Sequence, residues 1–279
     1  MKVLAWNCRG LGSPTAVRAL KEVIKASNPP VVGLFESKSD CNCCEVIRVK
    51  LGFDCCFAVP ACGRSGGLVL LWNNSTDVSV VSYSDFHIDF ILKYKVSVHI
   101  TLFYGHPRTS LRYKSWRLLR KLRELIRLSW CVIGDFNEIC NFSETTSRNL
   151  SRCVNMELFR NVLLDCGLMD LGYKGSKFTF SNRRQGLAEV ECRLDRAVGD
   201  DLWIDLFPNA CIEHLVSHHS DHCPLLLKLD GNNEDHDKRF RFESMWTRDA
   251  SLADTVNSAW NSNADFAPMA DKLADLSHQ

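Results

Sequence analysis

Trp130-Cys131-Val132-Ile133-Gly134-Asp135-Phe136-Asn137 decides the fold. Four apolar residues in a row, β-branched and aromatic ones among them, predict a short strand buried on both faces. Gly134 is expected to break it, leaving a carboxylate and a carboxamide at its end. Because side chains alternate along a strand, Asp135 and Asn137 should point the same way, beyond the sheet. An acid beside an amide donor suits a site that handles phosphate and water. The same two residues can also close an Asx-turn that merely caps the backbone. On the octapeptide alone, the turn is the simpler reading.

Other apolar runs end in the same manner. Val3 to Asn7 reads as a strand that closes on an amide. Ser13-Pro14 supplies an N-cap and a first-turn proline, and Ala16, Leu20, Val23 and Ile24 recur at helical spacing until Asn28-Pro29-Pro30. Val31 to Glu36 is a second strand, ending in a carboxylate. Strand, helix, strand in this order predicts an α/β layering with strands inside. From Phe53 to Tyr104 short strands follow at spacings of about ten residues, which predicts antiparallel pairing within one sheet. The last of them runs into Tyr104-Gly105-His106-Pro107.

Leu111 to Leu128 is an expected helix with Leu111, Leu118, Leu119, Leu122, Leu125 and Ile126 inward and a face of arginines and lysines outward. Such a stripe can hold a phosphate backbone; more often it is a solvated face. A polar loop is expected over Ser143–Arg152, then a helix over Asn155–Cys166 closed by Gly167. Further short strands are expected near Phe178–Asn182, over Cys192–Val198 and Cys211–Val216, and after Pro224.

The chain has 279 residues, 46% hydrophobic and 24% charged, ordinary for a globular protein with ample core. A net charge of +1 gives no overall pull toward nucleic acid or membrane, so a local patch must meet any such partner. The 14 cysteines lie scattered, and Met1 to Asn7 turns polar too early for a signal peptide, so a reducing, intracellular compartment is expected. Cys41-Asn42-Cys43-Cys44 has no second Cys/His pair at finger spacing, which argues against zinc. No apolar run reaches the ~18–20 residues of a membrane span. The charged run Gly231–Lys238 marks a boundary between residues 1–231 and a charged linker with a short helical tail over 232–279.

Asn7, Glu36, Tyr104, Asp135 with Asn137, Asp195, and Asp221 with His222 are all expected at or just past strand ends. Layered sheets place such ends on one rim, where α/β proteins build sites. Carboxylates, amides, a phenol and an imidazole together suit a hard divalent cation and a phosphate ester.

Six ordered motifs resemble the endonuclease/exonuclease/phosphatase family, which includes DNase I-like and apurinic/apyrimidinic endonucleases. They are Trp6-Asn7-Cys8-Arg9-Gly10, the strand ending in Glu36, Tyr104-Gly105-His106-Pro107, Gly134-Asp135-Phe136-Asn137, Arg193-Leu194-Asp195-Arg196 and Ser220-Asp221-His222-Cys223-Pro224. More narrowly, Trp6–Leu11, Phe178–Asn182, Leu194-Asp195-Arg196 and Phe240–Trp246 are similar to the endonuclease of plant LINE-type (non-LTR) retrotransposons. The resemblance implies an α/β sandwich of two packed mixed β-sheets with outer helices.

It also implies that Glu36 binds a metal, normally Mg²⁺ with Mn²⁺ as a substitute, and that Asn7 and Asp221 help shape its site. Tyr104 and Asn137 would donate to phosphate oxygens, and Asp135 would orient or deprotonate the attacking water. Asp195 would hold His222, which serves either as base or as a charged phosphate clamp. Ser220, Arg9 and Asn182 are the further expected substrate contacts. His218 and His219 match no family role and are expected to be loop residues, and His87, His99, His106 and His214 make no ligand cluster.

This chain departs from the plant elements at Ser37 (usually Thr), Phe180 (usually Trp), Cys192 (usually Glu) and in the loop Ser143–Arg152, which lacks paired glycines. Such elements carry a reverse transcriptase after the endonuclease, and this sequence stops at Gln279, so a truncated endonuclease module with the start of a linker is expected. The expected function is metal-dependent nicking of DNA by a monomer that reads the phosphate backbone with weak sequence preference and has no membrane partner. Its place would be the nucleus if it acts on chromosomal DNA. The alternatives are a phosphatase or phosphodiesterase of the same fold acting on a small molecule or RNA, and a silent remnant that only binds nucleic acid.

Overall fold

The computed structural model describes residues 1–231 apart from 62, 64, 148–152, 185 and 218, and beyond them only Asp254 and Asn257. Contacts group Met1–Gly231 into one compact unit and Asn232–Gln279 into a second. The linker, the helical tail and the Phe240–Trp246 run fall outside the described residues, Asp254 and Asn257 excepted; so do His218 and the end of the 143–152 loop.

Strand β1 (Lys2–Asn7) is followed by helix α1 (Pro14–Ser27) and strand β2 (Val31–Phe35). The Ser13 hydroxyl caps α1 by accepting from the Ala16 N–H at 3.1 Å, and Asn28 ends it in the left-handed conformation at φ 47°. β2 pairs parallel to β1, with Asn7 opposite Phe35. Helix α2 (Cys41–Leu51), capped by Asp40, then leads into strands β3 (Cys55–Val59) and β4 (Leu68–Trp72). Strands β5 (Asp77–Ser84), β6 (His87–Lys93) and β7 (Ser97–Tyr104) follow, then α3 (Arg112–Leu125) and β8 (Trp130–Asp135). After α4 (Cys153–Asp165) come β9 (Met169–Asp170), β10 (Lys174–Gly175), the two-stranded ribbon of β11 (Phe180–Ser181) and β12 (Glu191–Cys192), and β13 (Asp195–Gly199). Helix α5 (Asp201–Leu206), β14 (Cys211–His214) and β15 (Leu225–Lys228) complete the unit.

The strands form a seven-stranded sheet, β10-β14-β15-β1-β2-β4-β3, and a six-stranded sheet, β5-β6-β7-β8-β13-β9. Both are mixed, and they pack face to face. Val3, Ala5, Val31 and Phe35 of the first sheet meet Ile100, Leu102, Cys131 and Ile133 of the second in one buried cluster. The alternate residues face outward: Leu4, Trp6, Val32 and Leu34 lie under α1 and α2, and Trp130 and Val132 under α3 and α4. That alternation is the period of two expected of strands buried on both faces.

Several expectations need correction. The run of strands from Phe53 to Tyr104 is divided between the two sheets. β4 already has β2 on one edge and β3 on the other, so the chain after Trp72 has no free edge there and turns away to start the second sheet. Gly134 does not break β8 but lies within it, paired with Phe103 on one side and Arg196 on the other. The predicted strand Cys192–Val198 is two strands, and Asp195 opens β13 instead of closing a strand. Helix α3 ends at Leu125, which is 66% exposed, while Trp116 at 3% takes the inward position. Helix α2 was not foreseen; its apolar content reduces to Cys44 and Ile47 inward, too sparse for a periodic signal.

Gly134 shows how tightly β7 and β8 pair. Its φ of +151° is rarely adopted by L side chains, and a Cβ there would stand 2.1 Å from the Phe103 carbonyl oxygen. Gly134→Ala is therefore expected to lower stability by about 3 kcal/mol or more. Chemical denaturation checks this, and an unchanged midpoint would show that the β7–β8 register can relax.

Candidate active site

The alternation that fills the core also builds the site. Asn7 has the parity of Val3 and Ala5, Asp135 that of Cys131 and Ile133, and Tyr104 that of Ile100 and Leu102, so all three point into the seam between the sheets. Asp195 shares parity with Ala197 at the start of β13. Because β13 runs antiparallel to β8, its first residue lies beside β8's last, and Asp195 is the cross-strand partner of Asp135. β15 likewise runs antiparallel to β1, which brings the loop with Asp221 and His222 to the end of β1. The expected rim therefore exists, at the end of the intersheet core.

His222 Nδ1 donates to Asp195 Oδ2 at 2.8 Å, and its Nε2 lies 3.8 Å from Asp135 Oδ2. All three residues are buried. Burial opposes the imidazolium, but the carboxylates of Asp195 and Asp135 overcome it and hold the His222 pKa up at about 9. Asp135 is pushed up to about 7, first by burial and then by Asp195, against the pull of His222 and the Asn7 amide. At neutral pH the site therefore offers a charged imidazole and a carboxyl poised near its titration point.

The remaining groups are linked through amides. Asn7 Nδ2 bridges two carboxylates, at 2.9 Å from Asp135 Oδ2 and 3.3 Å from Glu36 Oε1. The Tyr104 hydroxyl donates to Glu36 Oε1 at 2.8 Å. Burial and the carboxylates of Glu36 and Asp135 raise the Tyr104 pKa, so it stays a phenol and a donor. Asn137 does both things the octapeptide allowed. Its N–H closes an Asx-turn onto Asp135 Oδ1 at 2.8 Å, and its side-chain amide donates to the Gly105 carbonyl at 2.8 Å and to Asp135 Oδ2 at 3.3 Å. The expected donation of Tyr104 and Asn137 to phosphate requires each to redirect a proton it already shares.

Glu36 is the residue best suited to a cation. Burial would raise its pKa, but the Tyr104 hydroxyl, Arg9, the Asn7 amide and Lys38 hold it below the ordinary value. Lys38 Nζ lies 3.3 Å from Oε2 and Arg9 3.8 Å from Oε1, so the negative field already draws flexible cations. Arg9 also reaches Asp221 Oδ1 at 3.4 Å. This all-oxygen set, with Asp135 close by, fits a Mg²⁺-type ion, which takes few protein carboxylates and keeps waters. A second group, Asp135, Asp195 and His222, has candidate ligand atoms within 4.8 Å of one another. The internal His222–Asp195 hydrogen bond makes it an acid–imidazole row first.

Two expected contacts have other work. The buried Ser220 hydroxyl donates to the Asn7 carbonyl at 2.7 Å and accepts from the His222 N–H at 3.1 Å. Through these bonds it positions the strand end and the histidine. The Asn182 side chain is engaged inside its own hairpin, donating to Ala188 O at 2.9 Å and accepting from Arg184 and Val190 N–H groups. Half-exposed Arg9 remains open to substrate.

Sequence reading missed the supports. Trp6 Nε1 donates to the His222 carbonyl at 2.9 Å, Thr179 Oγ1 accepts from the N–H groups of Leu194 and Asp195 at 3.0 Å each, and Phe180 packs 5.0 Å from the His222 ring. Trp6 and Phe180 lay within quoted motifs, but nothing in the chain order says which backbone atom each would touch. The basic face of α3 is partly paired: Arg112 with Glu138, Arg120 with Asp165 and Arg123 with Asp200. Lys114, Arg117 and Lys121 stay exposed, as does Arg127 just past the helix.

A model of the Endonuclease/Exonuclease/phosphatase family matches residues 4–222. No curated protein matches the chain in sequence. Among solved structures, the 3′ phosphatase NExo from Neisseria bound to product DNA hairpin superposes with a TM-score of 0.64, at 17% identity over 82% of this chain and 99% of that one. The endonuclease domain of TRAS1, a telomere-specific non-LTR retrotransposon, gives a TM-score of 0.60 at 14% identity, covering 84% of this chain and 99% of that one. The AP endonuclease LMAP from Leishmania major gives 0.60 at 17%, covering 81% and 86%. At these identities the likeness establishes the shared fold. No described helix is long and apolar enough to cross a membrane.

The raised Asp135 pKa has a consequence for stability. Its folded value, about 7, lies above the ordinary aspartate value of 3.8, so its contribution to stability is full below pH 3.8 and is lost as pH rises through 7. At pH 8 the metal-free fold must hold a buried charge beside Asp195. Asp135→Asn is expected to melt several degrees above the wild type at pH 8 in EDTA, with the gap closing toward pH 5. Thermal unfolding across that range tests it; a variant less stable at pH 8 would overturn the electrostatic reading.

Proposed function

This chain belongs to the endonuclease/exonuclease/phosphatase family, and from that premise we propose that it hydrolyses phosphodiester bonds in DNA with a divalent metal. We propose further that it is the endonuclease module of a LINE-type retroelement, acting as a monomer on nuclear DNA with weak sequence preference. The observation that carries the reading is the buried row Asp195–His222–Asp135, with 2.8 Å and 3.8 Å separations, set beside Glu36 at the rim.

The row assigns roles. His222, protonated at neutral pH and fixed by Asp195, acts as a charged clamp on phosphate. It has no free lone pair with which to serve as base. Asp135, with a pKa of about 7, is the group matched to taking a proton from water at working pH. As that water attacks, its oxygen bonds to phosphorus and its proton passes to Asp135; the P–O bond to the leaving oxygen breaks, and that oxygen, departing as an alkoxide, takes a proton from solvent. Tyr104 and Asn137 then turn donors toward the phosphoryl oxygens, where charge accumulates. Glu36, with Asn7 and Asp221, would hold the Mg²⁺ or Mn²⁺, which when bound supplies Lewis-acid neutralisation of that charge. Arg9, beside both Glu36 and Asp221, adds a cation at the mouth.

The likeness to the TRAS1 domain and the motifs shared with plant elements support the retroelement reading. The exposed cations of α3 support a salt-sensitive hold on the DNA backbone.

The direct experiment is nicking of supercoiled plasmid with Mg²⁺, with and without EDTA, beside Asp135→Ala and His222→Ala. Conversion to open circles is expected only with metal, falling by a factor of about 10² or more in each variant. Well-folded wild type that does not nick would sink the endonuclease reading; salt-sensitive binding without turnover would then point to a silent binder.

The pH profile gives a second test. Below about 7, protonated Asp135 cannot accept a proton, and above about 9 His222 loses its charge, so kcat/KM should be bell-shaped between these limits. In His222→Gln the residual rate should lose the alkaline limb. An alkaline limb that persists in that variant would remove His222 from the clamp role.

A further inference from the structure

Beside the rim lies a cleft of about 280 Å³ that the mechanism does not use. Its lining includes Gly66 and Gly67, the rings of Phe86, His106 and Tyr104, and both Arg108 and Asp85. Tyr104 therefore belongs to both the cleft and the site, through its hydroxyl bond to Glu36. From it a ladder of rings runs outward: Phe86 stacks on Tyr104 at 6.2 Å and 12°, and His106 stacks on Phe86 at 5.2 Å and 25°.

The platform is fixed before any ligand arrives. The Phe86 N–H donates to Ser84 Oγ at 3.2 Å, and its carbonyl accepts from the Tyr104 N–H at 2.9 Å. The His106 N–H donates to Ser115 Oγ at 2.8 Å, and its Nδ1 accepts from the Arg108 N–H at 3.1 Å. Burial, together with Lys114 and Arg108, lowers the His106 pKa, so the ring is a neutral aromatic surface at physiological pH. Gly66 and Gly67, with φ of +74° and +87°, contribute backbone to the same lining. A half-buried flat ring, glycine backbone and an arginine in one lining match a planar heteroaromatic group carried on a phosphate chain.

We propose that this cleft binds one unstacked nucleobase of the DNA strand, packed against the rings of Phe86 and His106, next to the phosphate held at the rim. The inference rests on the proposed function for the identity of the polymer, but its own test does not require turnover. Extruding a base costs least in single-stranded or distorted DNA, so the cleft would favour cutting where the strand is already open.

The test uses the full chain in EDTA, which stops hydrolysis, and a short single-stranded oligodeoxynucleotide carrying one 2-aminopurine and a terminal dye. Dye anisotropy reports binding, and 2-aminopurine fluorescence reports stacking. At saturating wild-type protein the fluorescence should be quenched. Phe86→Ala should abolish the quench and weaken binding roughly tenfold or more. Phe86→Leu, which keeps apolar volume and guards against a folding artefact, should also lose the quench while remaining folded by circular dichroism. Binding without quench, or a quench unchanged in Phe86→Leu, would overturn the cleft assignment and leave the nuclease reading intact. Quenching by a protein that never nicks plasmid would keep the cleft and remove the nuclease. No binding by the wild type would overturn the cleft assignment, and the nuclease reading would still be decided by plasmid nicking.

Discussion

Two carboxylates face each other across β8 and β13, buried at the end of the core, and most of the site exists to make that arrangement tolerable. Asp135 and Asp195 are direct cross-strand partners, a pairing that like charges ordinarily destabilise. His222 relieves it by placing a cation against both. The relief works only if the imidazole cannot wander, and its surroundings see to that. Trp6 holds the His222 carbonyl, Ser220 its N–H, and Phe180 its ring. Thr179 fixes the opening of β13 and with it Asp195. Burial first, and the neighbouring charge of Asp195 second, leave Asp135 as a carboxyl that titrates near neutrality, a property no solvent-exposed aspartate would have.

Behind this row sits a second electrostatic knot of opposite character. Arg196, next in sequence to Asp195, points to the other face of β13 and is fully buried. It pairs with Glu144 at 2.8 Å and Asp170 at 3.0 Å, while Arg193 pairs with the same two acids. Breaking a buried pair leaves an uncompensated charge worth about 3–5 kcal/mol. The knot therefore locks the segment after β8 and the approach to β13 into one arrangement. In two consecutive residues β13 carries an acid toward the chemistry and a base toward the scaffold. The alternation of a strand is what keeps the two apart.

The architecture was legible in the sequence wherever the period of two or of 3.6 was strong. β1, α1, β2 and β8 lie where the apolar pattern places them, because their residues are buried on both faces or on one clear stripe. Asn7, Glu36, Tyr104 and Asp135 were visible for the same reason, since each follows an apolar run, whereas Asp195 opens its strand and Asp221 and His222 lie in a loop. Three things were not legible. The division of the meander between sheets depends on which edges of β4 are occupied, a fact of topology. The short segments β9, β10 and β12, each two residues long, are held by tertiary hydrogen bonds with little propensity of their own, whereas β11 lies within the expected Phe178–Asn182 strand. The hydroxyl of Ser220 and the amide of Asn182 look available in a linear motif, yet both are engaged with backbone once the chain is folded.

The site belongs to neither sheet. Asn7, Glu36 and His222 come from the margins of the seven-stranded sheet, and Tyr104, Asp135 and Asp195 from those of the six-stranded one. The contacts that join them, Tyr104 to Glu36 at 2.8 Å and Asn7 to Asp135 at 2.9 Å, therefore cross the seam. Their lengths are set by how closely the sheets approach. Beneath the site that approach is set by apolar packing: Gly33 in β2 lacks a side chain, and a Cβ there would lie 2.4 Å from Leu102 of β7. Phe35 packs beside Tyr104, with ring centroids 6.5 Å apart. Close-packed interiors transmit small volume changes over several residues. A methyl group added at the seam would separate Glu36 from Tyr104 without touching either. Catalytic geometry in such a sandwich is thus a property of the apolar core, and residues with no chemistry of their own set the distances on which the chemistry depends.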